Sequence, residues 1–242
     1  MAKLFSWVIY MSIHLLVPKR KFRNCVLITG FHGIGVTGYI AISHLISALK
    51  AKKIGFIETD YLPQLVFMDG KQLVTPFEIY RSNKFVLVKS EFPPYKKDEV
   101  NLAKALVDWT VEERFSEAIL VGGLDDSFKM NDKDSLRIAT TDAYTPKASS
   151  FNAEFLESGL HIAGPLALML AKYEIRNFPA VAVLPYAASR PDPRAAAVAI
   201  KKICDVYKLN VDVSSLVQHA EEIEKELEER RKAESNYSGM FV

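Results

Sequence analysis

The sequence lacks an excess of charge of either sign. Its 242 residues include 31 basic and 29 acidic side chains, which leaves a formal net charge of +2. Proteins that bind nucleic acid usually carry a basic stripe or patch, because contacts to phosphates supply much of their affinity. The balance of charges therefore predicts no nucleic-acid partner.

Cysteine is scarce. The sequence has only Cys25 and Cys204, each in apolar surroundings and neither in a C-x-x-C motif. Disulfide frameworks and structural zinc sites require more cysteines at closer spacings than this. We expect two buried, reduced thiols and a reducing compartment, which favours a cytoplasmic location.

Long hydrophobic runs are also missing. The longest candidate for a membrane anchor covers residues 4–17, whereas a helix needs about 20 apolar residues to cross a bilayer. Residues 8–15 instead alternate with a period of two and are rich in β-branched side chains, which predicts a strand. We expect no membrane partner.

The usual catalytic motifs are absent. Five histidines occur without the H-E-x-x-H spacing of a zinc site, and no G-x-S-x-G motif is present. His32 lies in a glycine-rich turn, and the pair Asp125 and Asp126 follows a predicted strand, so both remain candidates for a site. A solvated loop explains the acidic pair more simply. We therefore expect no catalytic residue, no metal and no cofactor.

Apolar runs and amphipathic segments together predict an α/β fold. The expected architecture is a mostly parallel sheet with flanking helices, a β-hairpin insertion at Asp69-Gly70 and a projecting C-terminal helix. The strands are predicted at residues 24–29, 54–58, 78–81, 85–89, 118–121, 136–144 and 180–184, and the helices at residues 36–50, 100–114, 164–173 and 194–207. Residues 24–58 resemble one βαβ unit with parallel strands. The predicted core domain covers residues 1–213, and residues 214–242 form a charged helix and tail.

The glycine-rich turn allows two interpretations. Gly33, Gly35 and Gly38 match the spacing G-x-G-x-x-G between a strand and a helix, and Glu58 or Asp60 lies where a dinucleotide fold keeps its ribose-binding acid. The alternative is that the glycines permit close packing of helix and sheet. We favour packing, because three extra residues precede the motif and the hairpin interrupts the βαβ alternation.

The C-terminal segment has the pattern of a partner-binding element. Residues 214–234 are mostly charged, but Leu216, Ala220, Ile223 and Leu227 recur at spacings of four, three and four. Such a narrow apolar seam is typical of a helix that packs against an oligomer partner. A polar spacer follows, and the chain ends in the apolar triplet Met240-Phe241-Val242, for which we find no folding role.

Several motifs along the chain resemble those of the proteasome assembly chaperone 2 family, particularly its archaeal members. Each motif is moderately specific, and their order and spacing carry the resemblance from about residue 6 to residue 234. They are residues 30–38 (GFHGIGVTG), Asp69-Gly70 with Pro76 and residues 78–80, Trp109, residues 121–123, residues 164–166, residues 179–184 and residues 191–196.

The resemblance implies a non-enzymatic factor that assembles or activates the proteasome. Members of this family form small ring-like homo-oligomers, which implies a tetramer or pentamer here, and they bind the ring of proteasome α subunits. Some archaeal members dock a C-terminal tail of hydrophobic residue, tyrosine and any residue between α subunits. The matching positions are Met240, Phe241 and Val242, with phenylalanine in place of tyrosine. A nucleotide- or dinucleotide-binding enzyme that uses the glycine turn is the alternative.

Overall fold

The computed structural model describes residues 13–18, 22–130 and 135–218. Its strands are β1 (Ile13–Leu16), β2 (Val26–Gly30), β3 (Lys52–Thr59), β4 (Phe67–Asp69), β5 (Gln72–Val74), β6 (Phe77–Ser82), β7 (Phe85–Ser90), β8 (Glu117–Val121), β9 (Leu124–Asp125), β10 (Leu136–Thr140), β11 (Glu154–Phe155) and β12 (Ala180–Ala187). Its α-helices are α1 (Thr37–Ala48), α2 (Lys96–Glu112), α3 (Gly164–Ile175) and α4 (Pro193–Tyr207).

A ten-stranded sheet organises the molecule. The strand order is β1-β3-β6-β7-β2-β8-β12-β10-β11, and the short β9 also pairs with β12. The central strands β7, β2, β8 and β12 are parallel to one another. All residues of β2, β8 and β12 are buried, as expected of parallel strands that are covered on both faces. The predicted α/β class is confirmed.

The outer part of the sheet differs from a regular βαβ series. Strands β2 and β3, which flank α1, have the same direction as predicted. They are not neighbours, because the antiparallel strands β6 and β7 lie between them. Strand β1 pairs antiparallel with β3 at one edge. This strand confirms the predicted N-terminal strand at residues 13–15; residues 1–12 lie outside the described part.

Helices cover both faces of the sheet and divide the core into two layers. Helices α2 and α3 pack on each other over one face, and α1 and α4 pack on each other over the other. Leu106, Met169 and Tyr173 belong to the first layer, and Leu45 and Ile200 to the second; each is fully buried. Helix α1 follows β2 and α4 follows β12 in the chain, whereas α2 precedes β8 and α3 precedes β12.

The predicted hairpin is present and forms a separate two-stranded sheet. Asp69 of β4 pairs with Gln72 of β5, so the two-residue loop consists of Gly70 and Lys71. Gly70 has φ = 57°, a conformation that glycine adopts without steric cost. The Asp-Gly signal therefore located the turn correctly to within one residue.

The prediction of a strand over residues 136–144 is wrong beyond Thr140, where β10 ends. The Thr141 hydroxyl donates a hydrogen bond to the Phe178 carbonyl at 2.9 Å, and the Thr145 amide donates to the Thr141 carbonyl at 3.1 Å. These bonds turn the chain into a short 3-10 helix, Thr145–Phe151. Because Thr is β-branched, its abundance suggested a longer strand, but here its hydroxyl stabilises the turn.

The prediction for the two cysteines agrees with the structure. Cys25 and Cys204 are free thiols that retain 2% and 7% exposure, and burial is the main cause that raises the pKa of each. Both are therefore protonated and unreactive at neutral pH. Within the described ranges, no helix has both the length and the apolar character needed to cross a membrane.

Candidate functional site

Gly38 of the glycine-rich turn fills a packing position between helix and sheet. It stands in the first turn of α1, and a Cβ there would lie 2.6 Å from the Val121 carbonyl oxygen and 2.7 Å from the backbone N and O of Phe31. Those distances are too short for any side chain, and the opposing atoms are backbone. Gly38 therefore allows α1 to start directly against the ends of β2 and β8.

Gly35 and Gly33 have different roles. Gly35 has φ = 66°, a Cβ on it would lie 2.7 Å from the Ala187 Cβ, and its carbonyl accepts a hydrogen bond from the Asp192 amide at 2.8 Å. It thus anchors the start of α4 to the turn. Gly33 has extended backbone, and a Cβ added to it would meet nothing within 4 Å. Of the three motif glycines, only Gly33 faces open space.

The acidic residues of the dinucleotide interpretation lie away from the turn. Glu58 belongs to β3, and Asp60 follows that strand. Two strands separate β3 from β2, and neighbouring strands are about 4.8 Å apart, so the offset across the sheet is roughly 14 Å. In a dinucleotide fold the corresponding strands are adjacent. The geometry therefore favours the packing interpretation of the glycine motif.

A cleft opens at the carboxyl ends of β2 and β8, beside the glycine turn. It encloses about 700 Å³. Residues 31–34, 121–125 and 159–166 form most of its wall, with Lys96 and Glu99 contributed by the first turn of α2. The chain leaves β2 towards β3 and leaves β8 towards β12, so the cleft occupies a switch point of the sheet, where α/β proteins commonly bind ligands.

The charged and titratable side chains that line the cleft are His32, Lys96, Glu99, Asp125 and His161. The ring of His32 stacks on Tyr39 with centroids 4.5 Å apart, and burial lowers the pKa of His32, so it is neutral at physiological pH. His32 is half-buried. Glu99 keeps 17% exposure of its side chain and lies 4.0 Å from the Lys96 ammonium. Apolar side chains and backbone form most of the remaining surface.

The acidic pair after β8 is part of a turn. An oxygen of Asp125 accepts a hydrogen bond from the Ser127 amide at 2.9 Å and so caps a short 3-10 helix, Asp126–Phe128. Hydrogen bonds from the Ser127 side chain and backbone lower the pKa of Asp125. Across the described ranges, no group of three His, Cys, Asp or Glu side chains is arranged to hold a metal ion.

The predicted C-terminal seam begins inside the domain. A helix starts at Ser214, and Leu216 is 7% exposed within the core layer under α1 and α4, together with Val213. Asp212 accepts hydrogen bonds from the Ser214 amide and hydroxyl at 2.9 and 2.8 Å. The other seam residues, Ala220, Ile223 and Leu227, and the terminal Met240, Phe241 and Val242, lie outside the described residues.

One surface was missed by the sequence analysis. The hairpin and the two residues before it leave five large apolar side chains exposed, although strands normally bury at least one face: Leu65, Val66, Phe67, Met68 and Leu73. The signal was the uninterrupted apolar run at residues 65–68 directly before the Asp-Gly turn. A patch of this kind is typical of a protein contact surface.

A comparison with protein families finds one match that covers most of the chain. The model of the PAC2 family matches residues 27–231. An uncharacterized protein of Methanocaldococcus jannaschii is 25% identical over 214 residues, which cover 87% of this chain and 87% of that protein.

Solved structures have the same fold. Pyrococcus furiosus PbaA, an archaeal homolog of proteasome-assembly chaperone, superimposes with a TM-score of 0.79 at 25% identity, over 95% of this chain and 99% of PbaA. Pyrococcus furiosus PbaB, an archaeal proteasome activator, gives a TM-score of 0.74 at 20% identity, over 90% of this chain and 98% of PbaB.

Proposed function

Because this chain belongs to the PAC2 family, as its motifs predict, we propose that it is a non-enzymatic cytoplasmic factor that assembles or activates the proteasome. The observation that carries the proposal is the family match over residues 27–231, together with the shared fold of PbaA over 95% of the chain. PbaA is a homolog of proteasome-assembly chaperone and PbaB is a proteasome activator, so either role fits this chain.

The contact with the proteasome is made by the last three residues. Met240, Phe241 and Val242 follow a polar spacer, so the triplet can reach a pocket away from the domain. Aromatic side chains commonly supply most of the energy of a small contact, which makes Phe241 the anchor. The partner is the ring of proteasome α subunits, and the terminal carboxylate pairs with a basic side chain of the pocket.

Self-association increases the number of C-terminal tails that bind one ring of α subunits. In a tetramer or pentamer several tails bind one ring, and every contact after the first is intramolecular. Avidity of this kind raises the overall affinity by roughly a hundredfold or more. Leu216 packs in the domain core, which fixes the start of the C-terminal helix, while Ala220, Ile223 and Leu227 extend the seam towards a neighbouring copy.

The test is a pull-down of purified α-subunit rings with the full-length protein and with a chain that ends at Gly239. We expect the full-length protein to retain the rings and the shortened chain to lose them while keeping its oligomeric state. Ser235→Ala in the spacer is the matched control and should bind normally. Equal retention of rings by the shortened chain would place the contact on the folded domain instead.

Two further variants separate the parts of the tail. Phe241→Tyr restores the phenol hydroxyl of the family motif, and we expect tighter binding, since a pocket group gains its hydrogen-bond partner. One additional glycine after Val242 keeps the side chains but displaces the carboxylate, so binding should weaken. If the extended chain binds as well as the natural one, the carboxylate has no part in docking.

The cleft favours a second candidate, the binding of a small ligand by a nucleotide- or dinucleotide-dependent enzyme. Its volume of about 700 Å³ and its place at the ends of β2 and β8 support this candidate. The packed positions of Gly35 and Gly38 weigh against a phosphate cradle in the turn. NAD, NADP, ATP and AMP at millimolar concentration should raise the melting temperature if one of them binds the native state. The absence of any shift would reject this candidate.

A further inference from the structure

Apolar side chains line most of the cleft beside the glycine turn, and the domain leaves some of them uncovered. Ile34 and Phe128 keep 38% and 49% exposure, while Leu166 and Leu184 are buried and form the inner wall of the cleft. The volume of about 700 Å³ lies within the usual range of small-molecule sites, about 300–1,000 Å³. The cleft can therefore enclose the apolar body of a small molecule.

The charges that face the cleft are mostly of one sign. Lys96, Glu99 and Asp125 line it, and burial lowers the pKa of His32, so this ring adds no charge at neutral pH. The Lys96 side chain is 94% exposed, so water and salt screen its ammonium group. The wall of the cleft therefore presents two carboxylates and little positive charge.

Glu99 is the carboxylate that has room for a ligand. Its side chain keeps 17% exposure, and among the described residues the only cation within 4.0 Å of its carboxylate is the Lys96 ammonium, at 4.0 Å. That distance is too long for a hydrogen bond. Asp125, by contrast, uses one oxygen to cap a turn. A shielded carboxylate without a donor is costly, and a cationic group on a ligand would supply the donor.

The helix dipole of α2 does not depend on Glu99 alone. Acidic side chains in the first turn of a helix interact favourably with its dipole, and α2 has two of them, Asp98 and Glu99. Asp98 is 1% exposed and accepts a hydrogen bond from the Thr59 hydroxyl at 2.6 Å. Asp98 thus supplies the negative charge at this helix end, and Glu99 is available to a ligand in the cleft.

We propose that the cleft binds a small molecule that carries an apolar ring system and one ammonium group. The rings pack against Ile34 and Phe128, and the ammonium group donates hydrogen bonds to the Glu99 carboxylate. Charge-assisted hydrogen bonds are roughly twice as strong as neutral ones, so the charge of the ligand decides its affinity. This site goes beyond the proteasome contact and does not depend on it. It also differs from the nucleotide candidate, whose phosphates would meet carboxylates of like charge.

Three probes with the same indole body test the charge of the ligand. Tryptamine carries an ammonium group, tryptophol a neutral hydroxyl and indole-3-propionate a carboxylate. Isothermal titration calorimetry at low salt and about pH 8, where an ordinary histidine is neutral, measures the three affinities. We expect tryptamine to bind at least about tenfold more tightly than tryptophol, and indole-3-propionate to bind most weakly.

Substitution of Glu99 tests the same contact from the side of the protein. Glu99→Gln keeps the size of the side chain and removes its charge, so it should weaken the binding of tryptamine about tenfold and leave that of tryptophol unchanged. General damage to the cleft would weaken both probes. Glu112→Gln is the matched control, because Glu112 is exposed on the same helix and outside the cleft; it should bind both probes as the wild type does.

A bulky substitution tests where the probes bind. Ala163 is exposed, has extended backbone and lines the cleft, so Ala163→Trp should fill the entrance and abolish the binding of tryptamine. Ala171→Trp is the control, since Ala171 is exposed on α3, about two turns further along the helix, and it should bind normally. Circular dichroism checks that both variants are folded.

The start of α3 supplies the opposite expectation. Residues 163–166 line the cleft and the helix has no side-chain cap, and the exposed amides of a helix N-terminus favour anions. Tighter binding of indole-3-propionate than of tryptamine would therefore overturn the proposal. Equal affinities for tryptamine and tryptophol, an unchanged affinity in Glu99→Gln, or no binding of tryptamine at millimolar concentration would also reject it. None of these results bears on the α-ring pull-down, so the two proposals fail independently.

Discussion

Substitution of Gly38 by alanine tests whether the glycine motif serves packing or ligand binding. The new Cβ would lie 2.6–2.7 Å from three backbone atoms, the Val121 oxygen and the N and O of Phe31. Normal carbon–oxygen contacts are longer by about 0.7 Å or more, so α1 must move away from the sheet. Overpacking of this kind typically costs about 1–3 kcal/mol, and the better helix propensity of alanine offsets up to about 1 kcal/mol of it.

We expect a net loss of about 1–2 kcal/mol in the free energy of unfolding, or roughly 2–8 °C in the melting temperature of a domain of this size. The assay is calorimetry of the ligand-free protein, with urea unfolding as a second measure. Gly33→Ala is the matched control, because its Cβ would meet nothing within 4 Å and its backbone is extended; it should leave stability unchanged. If Gly38→Ala melts at the wild-type temperature, the motif has no packing role.

Three further predictions concern stability. Asp192→Ala removes the cap of α4, where Asp192 accepts bonds from the amides of Ala195 and Ala188 at 3.0 Å, and should cost about 1–2 kcal/mol in chemical unfolding. Tyr173→Phe removes the buried hydroxyl that lies 2.9 Å from the Thr110 hydroxyl and should cost about 1 kcal/mol in the same assay. Burial opposes the ionisation of Glu78, but hydrogen bonds, including one from Lys53, lower its pKa below 4.5. The stability that ionised Glu78 contributes is therefore present above pH 4.5 and is lost as the pH falls through the folded-state pKa. Glu78→Gln should accordingly make the free energy of unfolding depend less on pH in the acid range.

The lowered pKa of His32, like that of Glu78, makes the folded protein less stable as the pH falls. Burial is its main cause and keeps the ring neutral in the folded protein, whereas the unfolded chain takes up a proton near pH 6.5. Stability from this residue is therefore complete above pH 6.5 and declines as the pH falls towards the folded-state value. His32 acts as a packed ring on Tyr39 at the rim of the cleft and contributes no positive charge there.

The sequence by itself determined the class of fold and most of its elements. The buried strands β2, β8 and β12 followed from short apolar runs, since strands covered on both faces need no polar positions. The turn at Gly70 followed from local chemistry that few residue types can supply. The order of motifs predicted the PAC2 family, and the family match confirms it.

Tertiary structure decided what depends on distant residues. Pattern predicted a βαβ unit at residues 24–58, but only the fold shows that β6 and β7 separate its strands, because pairing partners are chosen by the whole sheet. The sequence pattern of the glycine motif is the same in a phosphate-binding loop and in a turn that packs a helix against a sheet. The backbone of Val121, more than 80 residues beyond Gly38 in the sequence, makes it a packed turn.

Exposure, likewise, could not be read from the chain. The run at residues 65–68 has the composition of a core strand, yet the structure leaves it on the surface, whereas Leu216 from the predicted partner seam is buried in the domain. The hydrophobic character of a side chain means only that its removal from water is favourable. Which surface covers it, the same domain or another molecule, is fixed only when the elements are packed in three dimensions.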